Sequence, residues 1–203
     1  MKGKILLFDF DKTLTTDDTI VLFIKYFLKK KKLKYTSTIA FILKGGLKYL
    51  SSRDVKLLKN EVCRKFKYFS EDEFIEFVDY VYKNHMLKEG LDFLENEKRD
   101  LALLVSASPI NYLKYFKKYL QFDEIIGTEL DENFNVLENN KGVEKVRRIK
   151  SYLKDIDFEI DYDISMGFSD SYNADRPMLE MVKNRFLINS KKHIPEYNNL
   201  YWK

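Results

Sequence analysis

Along most of the chain, short apolar runs closed by acidic or small polar residues alternate with longer stretches of helical periodicity. Residues 4–8, 101–105, 124–126, 164–166 and 185–188 read as strands. Helices are predicted between the later ones, near 109–121, 142–154 and 176–183. Strands alternating with helices in this way imply an α/β fold, a Rossmann-like parallel sheet covered on both faces.

Residues 17–86 break the rhythm, with almost no strand signal and four helical patterns, near 18–32, 36–50, 52–68 and 71–86. Asp18, Ser52 and Ser70 stand where N-caps are wanted, and Glu73 follows Ser70 at capping-box spacing. The block reads as an all-helical cap inserted after the first strand. The expected domains are a core made of 1–16 and 87–203 and a cap made of 17–86.

Composition narrows the function. The 203 residues are 45% apolar and 15% aromatic, enough for a sizeable core. Thirty-six basic side chains against 32 acidic ones give a net charge of +4, which favours no nucleic-acid footprint. The single cysteine, Cys63, reads as a core residue, and two isolated histidines, His85 and His193, argue against a histidine triad or a zinc cluster. The longest apolar run, 20–28, is interrupted by Lys25 and falls short of the roughly 20 residues a membrane span needs. With no signal-peptide pattern at the start, a cytoplasmic location is expected.

Three predicted strands end in reactive polar residues: Asp9-Phe10-Asp11-Lys12-Thr13, Ser106-Ala107-Ser108, and Ser169-Asp170 with Asp175 shortly after. Ligands of open parallel sheets bind beyond the carboxyl ends of the strands, so the three point at one place. Asp9 and Asp11, two apart in extended chain, share a direction, and Asp170 adds a further carboxylate. Such crowding calls for a cation or a proton, and oxygen-only donors suit Mg²⁺. The plain alternative makes each acid a helix cap.

These residues carry a resemblance. Asp9-Phe10-Asp11-Lys12-Thr13-Leu14-Thr15 resembles the first motif of the haloacid dehalogenase superfamily, and Leu104-Val105-Ser106-Ala107-Ser108 the second. Lys145, three residues after Gly142, is similar to the third-motif lysine, and Gly167-Phe168-Ser169-Asp170-Ser171-Tyr172-Asn173-Ala174-Asp175 resembles the fourth. The motifs occur in family order, with the helical block where a family cap is inserted. Two positions depart from the pattern: Ser169 replaces the usual glycine before Asp170, and the two acids are five apart where phosphoserine phosphatase-like members often have four.

The resemblance implies a Mg²⁺-dependent phosphatase. Asp9 would be the nucleophile that becomes phosphorylated, and Asp11 the acid and base. Mg²⁺ would be held by Asp9, the Asp11 carbonyl and Asp170; Ser106, the Ala107 backbone and Lys145 would hold the phosphoryl group; Asp175 and Thr13 would stand behind them. Ser108 reads as the N-cap of the next helix. Asp18 is either a substrate contact or the cap of the first inserted helix. A P-type pump frame, with Asp11 phosphorylated, needs membrane spans that the sequence lacks, and dehalogenases match the motif less well.

The substrate reads as a small phosphorylated metabolite or a lipid phosphate. The resemblance to the phosphoserine phosphatase-like subfamily favours the first, while Gly167-Phe168-Ser169-Asp170-Ser171 and the Asp18-Thr19 helix start also resemble the phosphatidylglycerophosphatase C-like branch, which favours the second. The lysine cluster at 29–34, beside apolar 20–24 and 39–43, suits the second through peripheral contact with an anionic membrane. The alternative outside catalysis is a silent module that binds a phosphorylated ligand.

Overall fold

The structure, a computed structural model, describes residues 1–34, 36, 38–40, 43 and 55–203. Six parallel strands form its sheet, in the order β4-β3-β2-β6-β7-β8. These are β2 (Ile5–Phe8), β3 (Leu101–Pro109), β4 (Glu124–Thr128), β6 (Met166–Ser169), β7 (Asn184–Ile188) and β8 (Asn198–Leu200). Two further short strands, β1 (Lys2–Gly3) and β5 (Glu159–Ile160), pair with each other beside it.

β2 lies at the centre and is buried along its whole length, so it reads as an unbroken apolar run rather than an alternation. Its register fixes the site: Phe8 is opposite Leu104 of β3 on one side and Phe168 of β6 on the other. The residues that follow each of these, Asp9, Val105-Ser106 and Ser169-Asp170, therefore lie side by side at the carboxyl end of the sheet.

Alternate strand residues feed two apolar layers. Ile5, Leu7, Leu103 and Val105 pack under Ile149 and Leu153 of α6 (Val143–Asp155) and Met178 and Leu179 of α7 (Tyr172–Leu179). Leu6, Phe8, Leu104 and Phe168 face the other side, which runs through Phe10 and Tyr112 into the helical insertion without a break.

The insertion includes α1 (Thr19–Lys29), α2 (Val55–Cys63), a 3₁₀ turn (Phe66–Tyr68) and α3 (Glu71–His85). Phe23, Phe27, Phe66, Phe74 and Phe77 converge at its centre, with centroids from Phe23 to Phe77 and Phe66 5.1 and 5.0 Å apart. Ser70 and Glu73 form the expected capping box at the start of α3. The chain enters and leaves the insertion through a two-strand seam: Thr15 bridges Met86, Thr16 N–H donates to the His85 carbonyl and Leu87 N–H to that of Leu14.

Several elements differ from the sequence pattern. The strand expected at 164–166 is β6, Met166–Ser169, because Ser165 is drawn into a turn and its hydroxyl accepts the Ile5 N–H at 3.0 Å. The helix expected at 176–183 begins at Tyr172, where the Ser171 carbonyl already accepts the Asp175 N–H. The helix expected at 109–121 is a short α5 (Ile110–Leu113) continued by a 3₁₀ turn (Lys114–Lys118). That expected at 52–68 divides into α2 and the first 3₁₀ turn, and its proposed Ser52 cap lies outside the described residues, as does most of the helix expected at 36–50. A further helix, α4 (Lys88–Asn96), follows the seam.

The C-terminal segment docks on its own core. β8 extends the sheet beside β7, and Trp202 packs near Phe8, Phe93 and Phe168. Among the described residues no helix is long and apolar enough to cross a membrane.

Candidate active site

Asp9 directly follows β2, and its own N–H donates to the Phe168 carbonyl at 2.9 Å, so the central sheet fixes its backbone. Its buried carboxylate has two partners among the described residues. Lys145 Nζ donates to Oδ1 at 2.6 Å, and the Thr13 hydroxyl donates to Oδ2 at 3.1 Å. Thr13 Oγ1 in turn accepts the Asp170 N–H at 2.8 Å, which ties the first strand end to the β6 end.

Lys145 reaches this point from the first turn of α6. The turn is entered through Gly142, whose φ of +61° with ψ of −125° is a conformation that only glycine adopts readily. The ammonium is 1% exposed and also lies 2.7 Å from Asp175 Oδ1. Burial pulls its pKa down, but the Asp9 and Asp175 carboxylates outweigh that and hold it above the ordinary lysine range. Asp175 is oriented by Ser169, whose hydroxyl donates to Oδ2 at 2.7 Å and accepts the Ser171 N–H at 3.0 Å. The serine that departs from the family glycine thus fills a definite place, steering the more distant acid onto Lys145.

Asp11 faces a different set of partners. Its Oδ1 accepts the Thr19 N–H at 2.7 Å and the Thr19 hydroxyl at 2.6 Å, and its Oδ2 accepts the Ser108 hydroxyl at 2.6 Å. This corrects the reading of Ser108 as an N-cap: Pro109 occupies the cap position of α5, and the Ser108 hydroxyl is directed to Asp11 instead. Asp18 caps α1, its Oδ1 accepting the Ile20 and Val21 N–H groups at 3.0 and 3.3 Å.

The end of β3 is held from three sides. Ser106 Oγ accepts the Ser108 N–H at 2.9 Å, and the Ser106 carbonyl accepts Asn140 Nδ2 at 2.9 Å. The Ala107 carbonyl accepts the Thr128 hydroxyl and Lys59 Nζ, each at 2.5 Å. Lys59, Thr128 and Asn140 escaped the sequence reading. Thr128 and Asn140 lie outside every motif, and Lys59 is one of many lysines in a basic insertion; only its spacing from Cys63 on one face of α2 could have marked it as inward.

Electrostatics follow from burial. Desolvation pushes Asp9 up to about 8, against the pull of Lys145, and Asp170 up to about 6, with repulsion from Asp175 adding to it. Burial, then the charge of Asp18, raises Asp11. Asp9 and Asp175 share the buried Lys145 ammonium, and Asp11 and Asp170 add two further carboxylates beside them. Their excess negative charge and oxygen-only donors fit a hard divalent cation. Among the described residues no three acidic, histidine or cysteine side chains form a ready cage, and Mg²⁺, which takes only one or two carboxylates and keeps its waters, needs none.

A family model described as haloacid dehalogenase-like hydrolase matches residues 6–180. No curated protein is significantly similar to the chain in sequence. Among solved structures, a protein of unknown function from Bordetella pertussis Tohama I superposes with a TM-score of 0.78 at 15% identity, covering 98% of this chain and 99% of the other. A phosphoserine phosphohydrolase-like protein from Francisella tularensis gives 0.56 at 16%, covering 91% and 87%. A phosphoserine phosphatase in a phospho-aspartyl intermediate analogue form gives 0.55 at 18%, covering 94% and 88%. At these identities the likeness is one of fold.

Proposed function

Because the chain belongs to the haloacid dehalogenase-like hydrolase family, we propose that it is a Mg²⁺-dependent phosphomonoester hydrolase working through an aspartyl-phosphate on Asp9. The observation that carries this reading is the Asp9 carboxylate at the end of the central strand, held between Lys145 and Thr13.

An Asp9 oxygen attacks phosphorus, the ester P–O bond breaks, and Asp11 gives its proton to the departing alkoxide. In the second half Asp11 takes a proton from water as that water attacks phosphorus, releasing inorganic phosphate and restoring Asp9. Lys145 neutralises charge beside the transferring group, and Ser106 with the Ala107 backbone supplies hydrogen bonds to its oxygens. Asp9, the Asp11 carbonyl and Asp170 would hold Mg²⁺, which when bound offsets the crowded carboxylates and the phosphoryl charge. Residues 17–86 act as the cap over this site.

Two observations favour a small, anionic ester over a lipid. Lys30 pairs with Glu76 and Lys32 with Glu73 of α3, so part of the lysine cluster is already answered within the protein. Lys59, half-buried on α2 against the end of β3, has neutral hydrogen-bond partners among the described residues, the Ala107 carbonyl and Asn139 Oδ1. Among the described residues no carboxylate pairs with it directly; burial lowers its pKa while the charges of Asp11 and Asp18 pull the other way, so a second anionic group on the substrate would favour its charged form. For the lipid reading stand Ile39 and Leu43, which are exposed near the cluster in sequence.

The test is phosphate release from aryl phosphates, phosphoserine, sugar phosphates, nucleotides and phosphatidylglycerophosphate, with Mg²⁺ or with EDTA. Release that needs the metal and disappears in Asp9→Asn is the expected result. Affinity for a phosphate ester without turnover under any metal condition would instead make the protein a binding module.

A further inference from the structure

Asp11 is gripped by hydroxyl groups whose protons can be counted. Thr19 Oγ1 lies 2.6 Å from Asp11 Oδ1, 3.0 Å from Ser108 Oγ and 2.9 Å from the Tyr112 hydroxyl. Each hydroxyl has one proton. With Asp11 ionised, the short contacts assign the Thr19 proton to Oδ1 and the Ser108 proton to Oδ2, leaving the Tyr112 phenol as the donor to Thr19. Tyr112 is fully buried, and burial together with the Asp11 charge holds its phenol well above its ordinary pKa, so it keeps the proton it donates.

The ring is fixed as firmly as the hydroxyl. It stands in the seam between core and insertion, its centroid 5.4 Å from Phe77 and 6.1 Å from both Phe23 and Phe66. The phenol cannot turn away without disturbing that cluster, and its bond stops the Thr19 hydroxyl rotating off Asp11. Among the described residues Oδ1 then accepts two bonds and Oδ2 one, which leaves Oδ2 the oxygen with a lone pair in reserve.

We propose that Tyr112 is a positioning residue for the leaving-group step: acting through Thr19, it locks the Asp11 carboxyl so that Oδ2 is presented to the departing oxygen. As the Asp9 oxygen–phosphorus bond forms and the ester P–O bond breaks, the proton on Asp11 passes to that oxygen. The inference rests on the aspartyl-phosphate reading.

The test uses the full chain with Mg²⁺ and a series of para-substituted phenyl phosphates, whose leaving groups differ in basicity but little in size. kcat/KM reports the steps up to release of the phenol. In Tyr112→Phe, kcat/KM for p-nitrophenyl phosphate should stay within about threefold of wild type, since that leaving group needs little protonation. For p-methoxyphenyl phosphate it should fall about tenfold or more, within the range that general acid catalysis contributes. Equal losses on both esters, or none, would overturn the proposal, because a merely structural role does not discriminate leaving groups. Thr19→Val should steepen the dependence at least as much, and adding Tyr112→Phe to it should change nothing further; multiplying effects would show that Tyr112 does not act through Thr19. If wild-type turnover does not depend on Asp9, the functional reading itself fails and this inference with it.

Discussion

Lys145 shows how far one side chain can be asked to serve both folding and chemistry. A buried ammonium is tolerated because two carboxylates face it at 2.6 and 2.7 Å, and each carboxylate is in turn held by a hydroxyl, that of Thr13 or Ser169. Removing the cation leaves two buried acids without it. Lys145→Met should therefore lose about 3 kcal/mol of stability at neutral pH in urea unfolding and lower kcat/KM by about 10²–10³. A variant as stable as wild type would show that the pair contributes nothing net to the fold. The role of Lys145 was legible only from its motif, since its neighbours Lys141, Arg147 and Arg148 are equally basic. Asp11 was legible as an acid at a strand end, whereas its partners were not: Ser108 looked like a cap, Thr19 stood out only as part of a helix start, and Tyr112 belongs to no motif. Their meeting depends on the seam between core and insertion, which separates them by about 90 residues of chain.

At the scale of elements, α6 exists to deliver that lysine, and its other face is tied down by a second ionic cluster. Glu144 accepts bonds from both Arg147 and Arg148, and Arg148 also donates to the carbonyls of Gly127 and Glu138. Hydrogen bonds from Arg147, then Arg148, draw Glu144 down to about 2. A carboxylate with a depressed folded-state pKa stabilises the protein above its unfolded value, here 4.5, and the contribution fades as pH falls towards about 2. Glu144→Gln should cost about 1 kcal/mol near neutrality, allowing for solvent screening. The gap in Tm between wild type and variant should shrink as pH is lowered from 5 to 2; a gap independent of pH would assign the loss to something other than charge. Elements whose apolar pattern was continuous and central, β2 and β3, could be read from sequence within a residue at their starts, although β3 runs on to Pro109. Those defined by pairing were not: β1 and β5 are two residues each and exist only because they find one another. β6 was misplaced because Ile164, which looked like its first residue, is exposed.

The whole molecule is closed by its tail. Trp202 lies over α4, where a Cβ placed on Gly90 would come within 2.7 Å of the indole and 3.0 Å of Leu14. In an open helix Gly→Ala is stabilising; here Gly90→Ala should instead cost about 2 kcal/mol, or roughly 4–8 °C in Tm. A rise in Tm would mean that Trp202 does not press on the helix in solution. The docking place of 197–202 has no signature in the sequence, because a three-residue strand and one tryptophan have no period to read. The central position of β2 has a further consequence, for the order of events as the chain is made. β2 is made before its neighbours, residues 101–104 and 166–168, so it must remain unpaired while about a hundred residues are added. The aromatic centre of the insertion draws almost entirely on residues 23–77 and can gather in that interval. Loop closure between distant strands then comes last, which makes sheet assembly the slow step and leaves Ile5-Leu6-Leu7-Phe8 as the segment most in need of protection from aggregation until β3 arrives.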